Sequence, residues 1–133
     1  MNILKTYKIY IGGQFPRTES GRSYLVKDAN GNPIANVCQS SKKDIRNAVQ
    51  AARKAFGSWS ERSAFNRGQI LYRIAEMLEG RREQFVAEIR ALTGKSDKQA
   101  NQEVDAAIDS WVWHAGWTDK IDAVAGNMNP VAG

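Results

Sequence analysis

The 133-residue chain has a single cysteine, Cys38, and a single histidine, His114. One thiol cannot close an internal disulfide, so no covalent staple holds the fold, and a reducing cytoplasmic setting is expected. One imidazole excludes a multi-histidine metal site. No apolar run approaches the roughly 20 residues that span a bilayer, and the opening MNILKTYKIYIGG is too short and too broken by lysine for a secretory leader. There is no low-complexity tract and no G-x-G-x-x-G. Gly12-Gly13 runs into Gln14-Phe15-Pro16, which offers no helix N-terminus to a phosphate. Nor is there a run of one charge. The 19 Lys and Arg are interleaved with 14 acids for a net charge of +5. The doublets Lys42-Lys43 and Arg81-Arg82 are each followed by an acid, Asp44 and Glu83. That pattern is a solvated mixed-charge surface rather than a nucleic-acid footprint.

What is present is ordinary globular composition, 42% hydrophobic and 25% charged, at a length that suits one domain with a core. Residues 7–11 alternate around β-branched and aromatic side chains and predict a strand, broken by a turn or bulge at Gly12-Gly13. Residues 23–28 and 33–38 predict two more, with Ala29-Asn30-Gly31-Asn32 as turn chemistry and Pro33 at the first strand position. The expected arrangement is an antiparallel β meander over residues 1–39.

Four helices are then expected within 40–122, giving an α+β chain. Ser41 and Asp44 are spaced as a capping box. Ile45, Ala48, Val49, Ala52, Ala55 and Phe56 recur at helical spacing as a core face, and Gly57 stands where a left-handed cap ends many helices. Ser63 caps a second helix carrying Ile70, Leu71, Ile74, Ala75 and Leu78. Arg67, at the edge of that stripe, is expected to snorkel or to meet an acid. Phe85, Val86, Ile89 and Leu92 define a third helix, closed by Thr93-Gly94-Lys95. Ser96 and Gln99 box the start of a fourth. Val104, Ala107, Ile108, Trp111 and Ala115 form one stripe of that helix. At ~100° per residue Ala106, Ser110, Trp113 and Trp117 fall roughly opposite. A helix apolar on two sides is normally buried between two layers or two subunits. Residues 123–133 are expected to be a truncated tail.

Several of these segments share an order with one known family. Ala48-Val49-x-Ala51-Ala52-Arg53-Lys54-Ala55-Phe56-x-x-Trp59 resembles the first helix of the NAD(P)-dependent aldehyde dehydrogenases. Ile11-Gly12-Gly13-Gln14-Phe15 is similar to their opening, and Arg67-x-x-x-Leu71-x-x-Ile74-Ala75-x-x-Leu78 to their second helix. Thr93-Gly94-Lys95, Glu103 and Ala115-Gly116-Trp117-x-Asp119-Lys120 follow at matching intervals. The chain departs from the pattern at Asp28-Ala29, where the family has Asn-Pro, and at Gly80, where it has Glu. The resemblance covers about residues 9–122 and identifies the N-terminal segment of such an enzyme, part of an α/β fold.

The resemblance implies that the parent oxidises an aldehyde to an acid with NAD or NADP. A cysteine thiolate attacks the carbonyl, hydride leaves for the nicotinamide, and a Glu-activated water hydrolyses the thioester. In the family those groups lie downstream of this segment, so no catalytic, cofactor-binding or metal residue is assigned here. Cys38 reads as a packed strand residue with no neighbouring group to lower its pKa. His114 reads as a packed or hydrogen-bonded helix residue, and Asp105 with Asp109 as a solvated strip. Leu92 stands where family members carry the acid of a monovalent-cation site, so that site is not carried over. The partner expected is the remainder of the enzyme, or a second copy met through Trp113 and Trp117 in a homo-oligomer. A stand-alone helical interaction module is the alternative.

Overall fold

The computed structural model describes residues 3–121 together with 123 and 124. In chain order the elements are β1 (Thr6–Tyr7), β2 (Ser23–Lys27), β3 (Pro33–Cys38), α1 (Lys42–Glu61), α2 (Ala64–Gly80), α3 (Arg82–Thr93) and α4 (Asp97–Trp117). Strands followed by four helices is the arrangement expected of the sequence. The tail expected over 123–133 lies outside the described residues, apart from 123 and 124.

The chain divides into two units. The first holds the strands, α1 as far as Ser58, and Ala91–Gly94. Its sheet has the order β1-β3-β2. β2 and β3 form the expected hairpin, antiparallel, with Tyr24 opposite Val37 and a register shift at Val26/Lys27. The turn is held by Asp28, whose carboxylate accepts from the Asn30 and Asn32 backbone N–H groups at 2.9 and 2.8 Å.

The expected antiparallel meander is corrected at β1, which pairs parallel to β3. The reason lies at Gly12-Gly13. Both have positive φ, 62° and 79°, and turn the chain back so that Ile11 and Gln14 bond reciprocally. The first strand stops at Tyr7, short of the expected Ile11. The long connection that follows brings β2 to the far edge of β3, leaving β1 the near edge in the parallel sense.

α1 enters through the capping box. Ser41 N–H donates to Asp44 Oδ2 at 2.8 Å, and Asp44 N–H donates to Ser41 Oγ at 3.3 Å. Two expectations fail along it. Gly57 does not end the helix, which runs on to Glu61, and Gly57 is not among the glycines with positive φ. A continuous i to i−4 ladder outweighs the propensity cost of one glycine. The apolar stripe is also no core face: Ile45, Val49 and Phe56 are exposed. The inward side instead carries buried Asp44 with half-buried Asn47 and Ala51. Polar bonds to Asp44 orient the helix, and nothing among the described residues of this unit covers its apolar stripe.

The second unit holds Trp59–Arg90 and the chain from Lys95 onward. Ser63 caps α2 by accepting from Asn66 N–H at 3.0 Å. Ser96 and Gln99 form the reciprocal box of α4. Arg67 neither snorkels nor meets an acid. Its guanidinium donates to the carbonyls of Ser60 and Arg62, groups left without helical partners as α1 ends. The core is Val86, Ala100 and Val104, flanked by Ile89 and Ile108.

α2 packs on α4 at Gly68, which is buried. A Cβ there would stand 2.5 Å from Thr118 Oγ1 and 2.9 Å from the Ala115 carbonyl. The absence of a side chain at Gly68 is thus what lets the two helices approach.

Candidate functional site

The residues that chemistry would need stand on separate elements. Cys38 ends β3 opposite Ser23 and is half-buried, as a strand residue should be. His114 lies on α4 with its Nδ1 2.8 Å from the Ser110 carbonyl and its ring edge-on to Trp113 at 4.9 Å. It is a hydrogen-bonded helix residue. Leu92 is exposed near the end of α3. Among the described residues, no group of three or more His, Cys, Asp or Glu could hold a metal ion.

Asp105 and Asp109 part company. Asp105 lies on the solvated strip, 56% exposed, and in addition accepts from Arg82 Nη2 at 2.6 Å. Asp109 has no ion-pair or hydrogen-bond partner through its carboxylate among the described residues. Arg82 is the centre of a larger cluster. Its Nη2 also reaches Glu79 at 2.7 Å, and its Nη1 donates to the Asn101 carbonyl and Oδ1 at 3.4 and 3.3 Å. The Arg82 hydrogen bonds hold Glu79 below the usual carboxylate range, and Glu79, then Asp105, hold the guanidinium above its already high value. With its donors engaged, Arg82 fastens the end of α2 and the start of α3 to α4 and offers nothing to a substrate. The doublet Arg81-Arg82 showed a charge there. Nothing local in the sequence pairs it with a residue on α4.

Asp44 is the other cluster the sequence showed in part. Beyond the box, its carboxylate accepts from Thr18 Oγ1 at 2.5 Å and from Glu19 N–H at 3.3 Å. Ser41 N–H first, then the Thr18 hydroxyl, hold its pKa below the ordinary Asp value. The carboxylate ties the 18–20 segment to the start of α1, and every bond it makes is internal.

What remains with the character of a functional surface is the outer side of the second unit. Trp113 and Trp117 pack with their rings tilted at 43° and centroids 5.5 Å apart, and are 59% and 40% exposed. Ile121 and Val124 continue the apolar surface past the end of α4. Beside it a groove of about 420 Å³ is lined by Phe65, Tyr72, Val112, Gly116, Thr118 and Lys120 among others. The inward stripe of α4 is as expected at Val104 and Ile108, while Ala107 and Trp111 are exposed. Contiguous apolar area of this kind occurs at protein interfaces and at ligand-binding grooves.

Residues 16–131 match the sequence profile described as the Aldehyde dehydrogenase family. The chain is 35% identical over 116 residues to an aldehyde dehydrogenase of Aspergillus niger, covering 85% of this chain and 23% of that protein. It is 31% identical to the D-glyceraldehyde dehydrogenase (NADP(+)) of Thermoplasma acidophilum, covering 86% of this chain and 24% of the relative. In structure it is similar to the NAD-dependent aldehyde dehydrogenase from Sinorhizobium meliloti, with a TM-score of 0.82 and 27% identity over 90% of this chain and 24% of that one. The chain thus spans about a quarter of the length of these proteins.

Proposed function

Because the chain belongs to the aldehyde dehydrogenase family, as an N-terminal segment of it, we propose that it is the structural N-terminal part of an enzyme that oxidises an aldehyde to a carboxylic acid with NAD or NADP. The observation that carries the proposal is the exposed apolar area on α1 and on the outer side of α4, set beside a chain that spans about a quarter of its relatives' length. Burying such area is worth ~25 cal/mol per Å², so these faces are built to be covered by more protein. The covering partner is the remainder of the enzyme, or a second copy through the Trp113 and Trp117 face. Residues 1–39 supply the strands and 40–122 the helices. No residue of the chain is assigned to catalysis, the dinucleotide or a metal. Nucleic acid and membrane are not partners: the basic excess is spread over the surface, and no described helix is long and apolar enough to cross a bilayer. The single half-buried thiol supports a cytoplasmic setting.

A chimera tests the reading. Residues 16–131 replace the corresponding quarter of the Aspergillus niger relative, and nucleotide reduction is followed at 340 nm with a simple aldehyde. The expected result is a folded, active chimera, while the 133-residue chain alone turns over nothing and binds neither dinucleotide tighter than millimolar. Turnover by the chain alone, abolished by Cys38→Ser, would refute the assignment of no catalytic residue. A folded but inactive chimera would refute the structural role.

A further inference from the structure

We propose that Asn30 is a site of spontaneous deamidation, converted through a cyclic imide to aspartate and isoaspartate, with Asp28 as the brake that sets its rate. The reaction needs no partner, cofactor or enzyme, and it is independent of the reading of the chain as part of a dehydrogenase.

The chemistry is intramolecular. The Gly31 backbone nitrogen gives up its proton to solvent hydroxide and attacks Asn30 Cγ. The N–Cγ bond forms, the Cγ–Nδ2 bond breaks, and Nδ2 takes a proton from water and leaves as ammonia. Water then opens the five-membered imide. Opening at Cγ gives aspartate, and opening at the Asn30 carbonyl carbon gives isoaspartate, with the main chain rerouted through the side chain. The sum is amide plus water to acid plus ammonia, with nothing oxidised or reduced.

Such a step needs a free asparagine amide and a following nitrogen that no side chain shields. Asn30 is exposed, and its side-chain amide has no hydrogen-bond partner among the described residues. Gly31 follows it, and a Cβ there would meet nothing within 4 Å, so the nitrogen is reached through open space. The other described asparagines lack one requirement or the other. Asn47, Asn66 and Asn101 lie inside helices, where the next N–H belongs to the backbone ladder. Asn32 precedes Pro33, whose nitrogen has no proton to lose. Asn36 sits on the central strand and is followed by the branched Val37.

The fold supplies the brake. Gly31 N–H donates to the Asp28 carbonyl at 3.0 Å, which engages the proton that must leave. On either side of it, the Asn30 and Asn32 N–H groups donate to Asp28 Oδ1 at 2.9 and 2.8 Å. Asn32 Nδ2 donates to Oδ2 at 3.3 Å. Hydrogen bonds to an ionised acceptor are roughly twice as strong as neutral ones, so the turn opens only when this carboxylate is released. Its charge also opposes the anion that the Gly31 nitrogen must become. Attack therefore proceeds from the opened turn, and its rate follows the open population.

The product alters the hairpin. Isoaspartate adds a methylene to the main chain between Asp28 and Asn32, whose N–H and carbonyl close the turn at 2.8 Å. The turn is also fastened by Ala29 N–H donating to the Ala91 carbonyl at 3.1 Å. Both bonds depend on the native chain length, so the isoaspartyl form is expected to unfold at a lower urea concentration than the unmodified chain.

The full chain, held folded in mildly alkaline buffer and in parallel unfolded in guanidinium chloride, tests the proposal. Peptide mapping by mass spectrometry follows residue 30, and a protein-isoaspartate methyltransferase reports the isoaspartyl product. Asn30 is expected to convert ahead of every other described asparagine, roughly tenfold more slowly in the folded chain than in the unfolded one. Asp28→Ala, checked for folding by circular dichroism, is expected to convert roughly tenfold faster than the folded wild type, and at close to the wild-type rate when both are unfolded. Asn30→Gln is expected to stay unmodified over the same period. A folded wild type that remains intact at Asn30 while the unfolded chain converts completely overturns the site. Equal rates for the folded wild type and folded Asp28→Ala overturn the brake. If Asp28→Ala does not fold, Asp28→Asn, which keeps a neutral acceptor, carries that comparison under the same criterion. None of these outcomes bears on the chimera's activity, so the enzymatic reading stands or falls separately.

Discussion

Asp44 is mostly hidden from solvent, and its carboxylate holds two stretches of chain together. Its pKa is depressed in the folded protein, chiefly by Ser41 N–H and the Thr18 hydroxyl. The unfolded chain, with Asp near the usual value of about 3.9, therefore binds the proton first as pH falls. Stability from this group is complete above that value and is lost as pH drops through the lower folded pKa. The stability gap between the wild type and Asp44→Asn should be widest at neutral pH and close below about pH 4. Urea unfolding followed at pH 7, 5, 4 and 3 measures it, and a gap independent of pH would show that the charge is not what the fold uses. Two glycines make a second test of packing at single residues. Gly68→Ala drives a methyl into Thr118 Oγ1 and the Ala115 carbonyl, and overpacking of this kind costs about 1–3 kcal/mol. At Gly57, also inside a helix, a methyl meets nothing within 4 Å. Gly57→Ala should stabilise by about 0.5–1 kcal/mol. Opposite shifts in the urea midpoint are expected from one nominal substitution.

At the scale of elements, the helix starts are carried by single hydroxyls. Ser63 caps α2 alone, whereas Ser96 shares its cap with the Gln99 side chain. Ser63→Ala and Ser96→Ala should each cost ~1 kcal/mol. Gln99→Ala should cost less, because it leaves the Ser96 hydroxyl on the Gln99 backbone N–H. These starts were legible in the sequence because a cap is local: the serine and its partner lie three residues apart. The β2–β3 hairpin was legible for the same reason, its turn residues standing between two short strand-like segments. The pairing of β1 was not, since it depends on where a connection with no fixed conformation delivers the chain. Nor was the outward-facing stripe of α1. Periodicity reports that a helix has an apolar side and is silent about whether this stretch of chain contains the cover. Of the candidate surface, Trp113 and Trp117 could be placed opposite the core by counting residues. The Arg82 cluster could not, because Asp105 is brought to it by the packing of helices.

Over the whole molecule, the buried hydrophobic residues among those described are Ala35, Ala75, Val86, Ala100 and Val104. Large side chains such as Phe56, Phe65 and Trp113 remain in contact with solvent. A core made of small residues, with its larger apolar groups outside, gives up much of the transfer free energy that a chain of this composition could recover. Order in such a molecule is not uniform, and the parallel β1–β3 pair marks the first place it gives way. β1 is two residues long, and the Asn36 amide on the central strand donates to the Lys5 carbonyl at 2.9 Å. That proton is shielded by the first strand alone, while the hairpin on the other side of β3 can stay closed. In deuterium oxide the Asn36 amide should therefore exchange through a local opening, orders of magnitude sooner than amides beside Val104 in the packed middle of α4. One nuclear magnetic resonance cross-peak would then time the departure of the N-terminal strand while the rest of the protein stays folded.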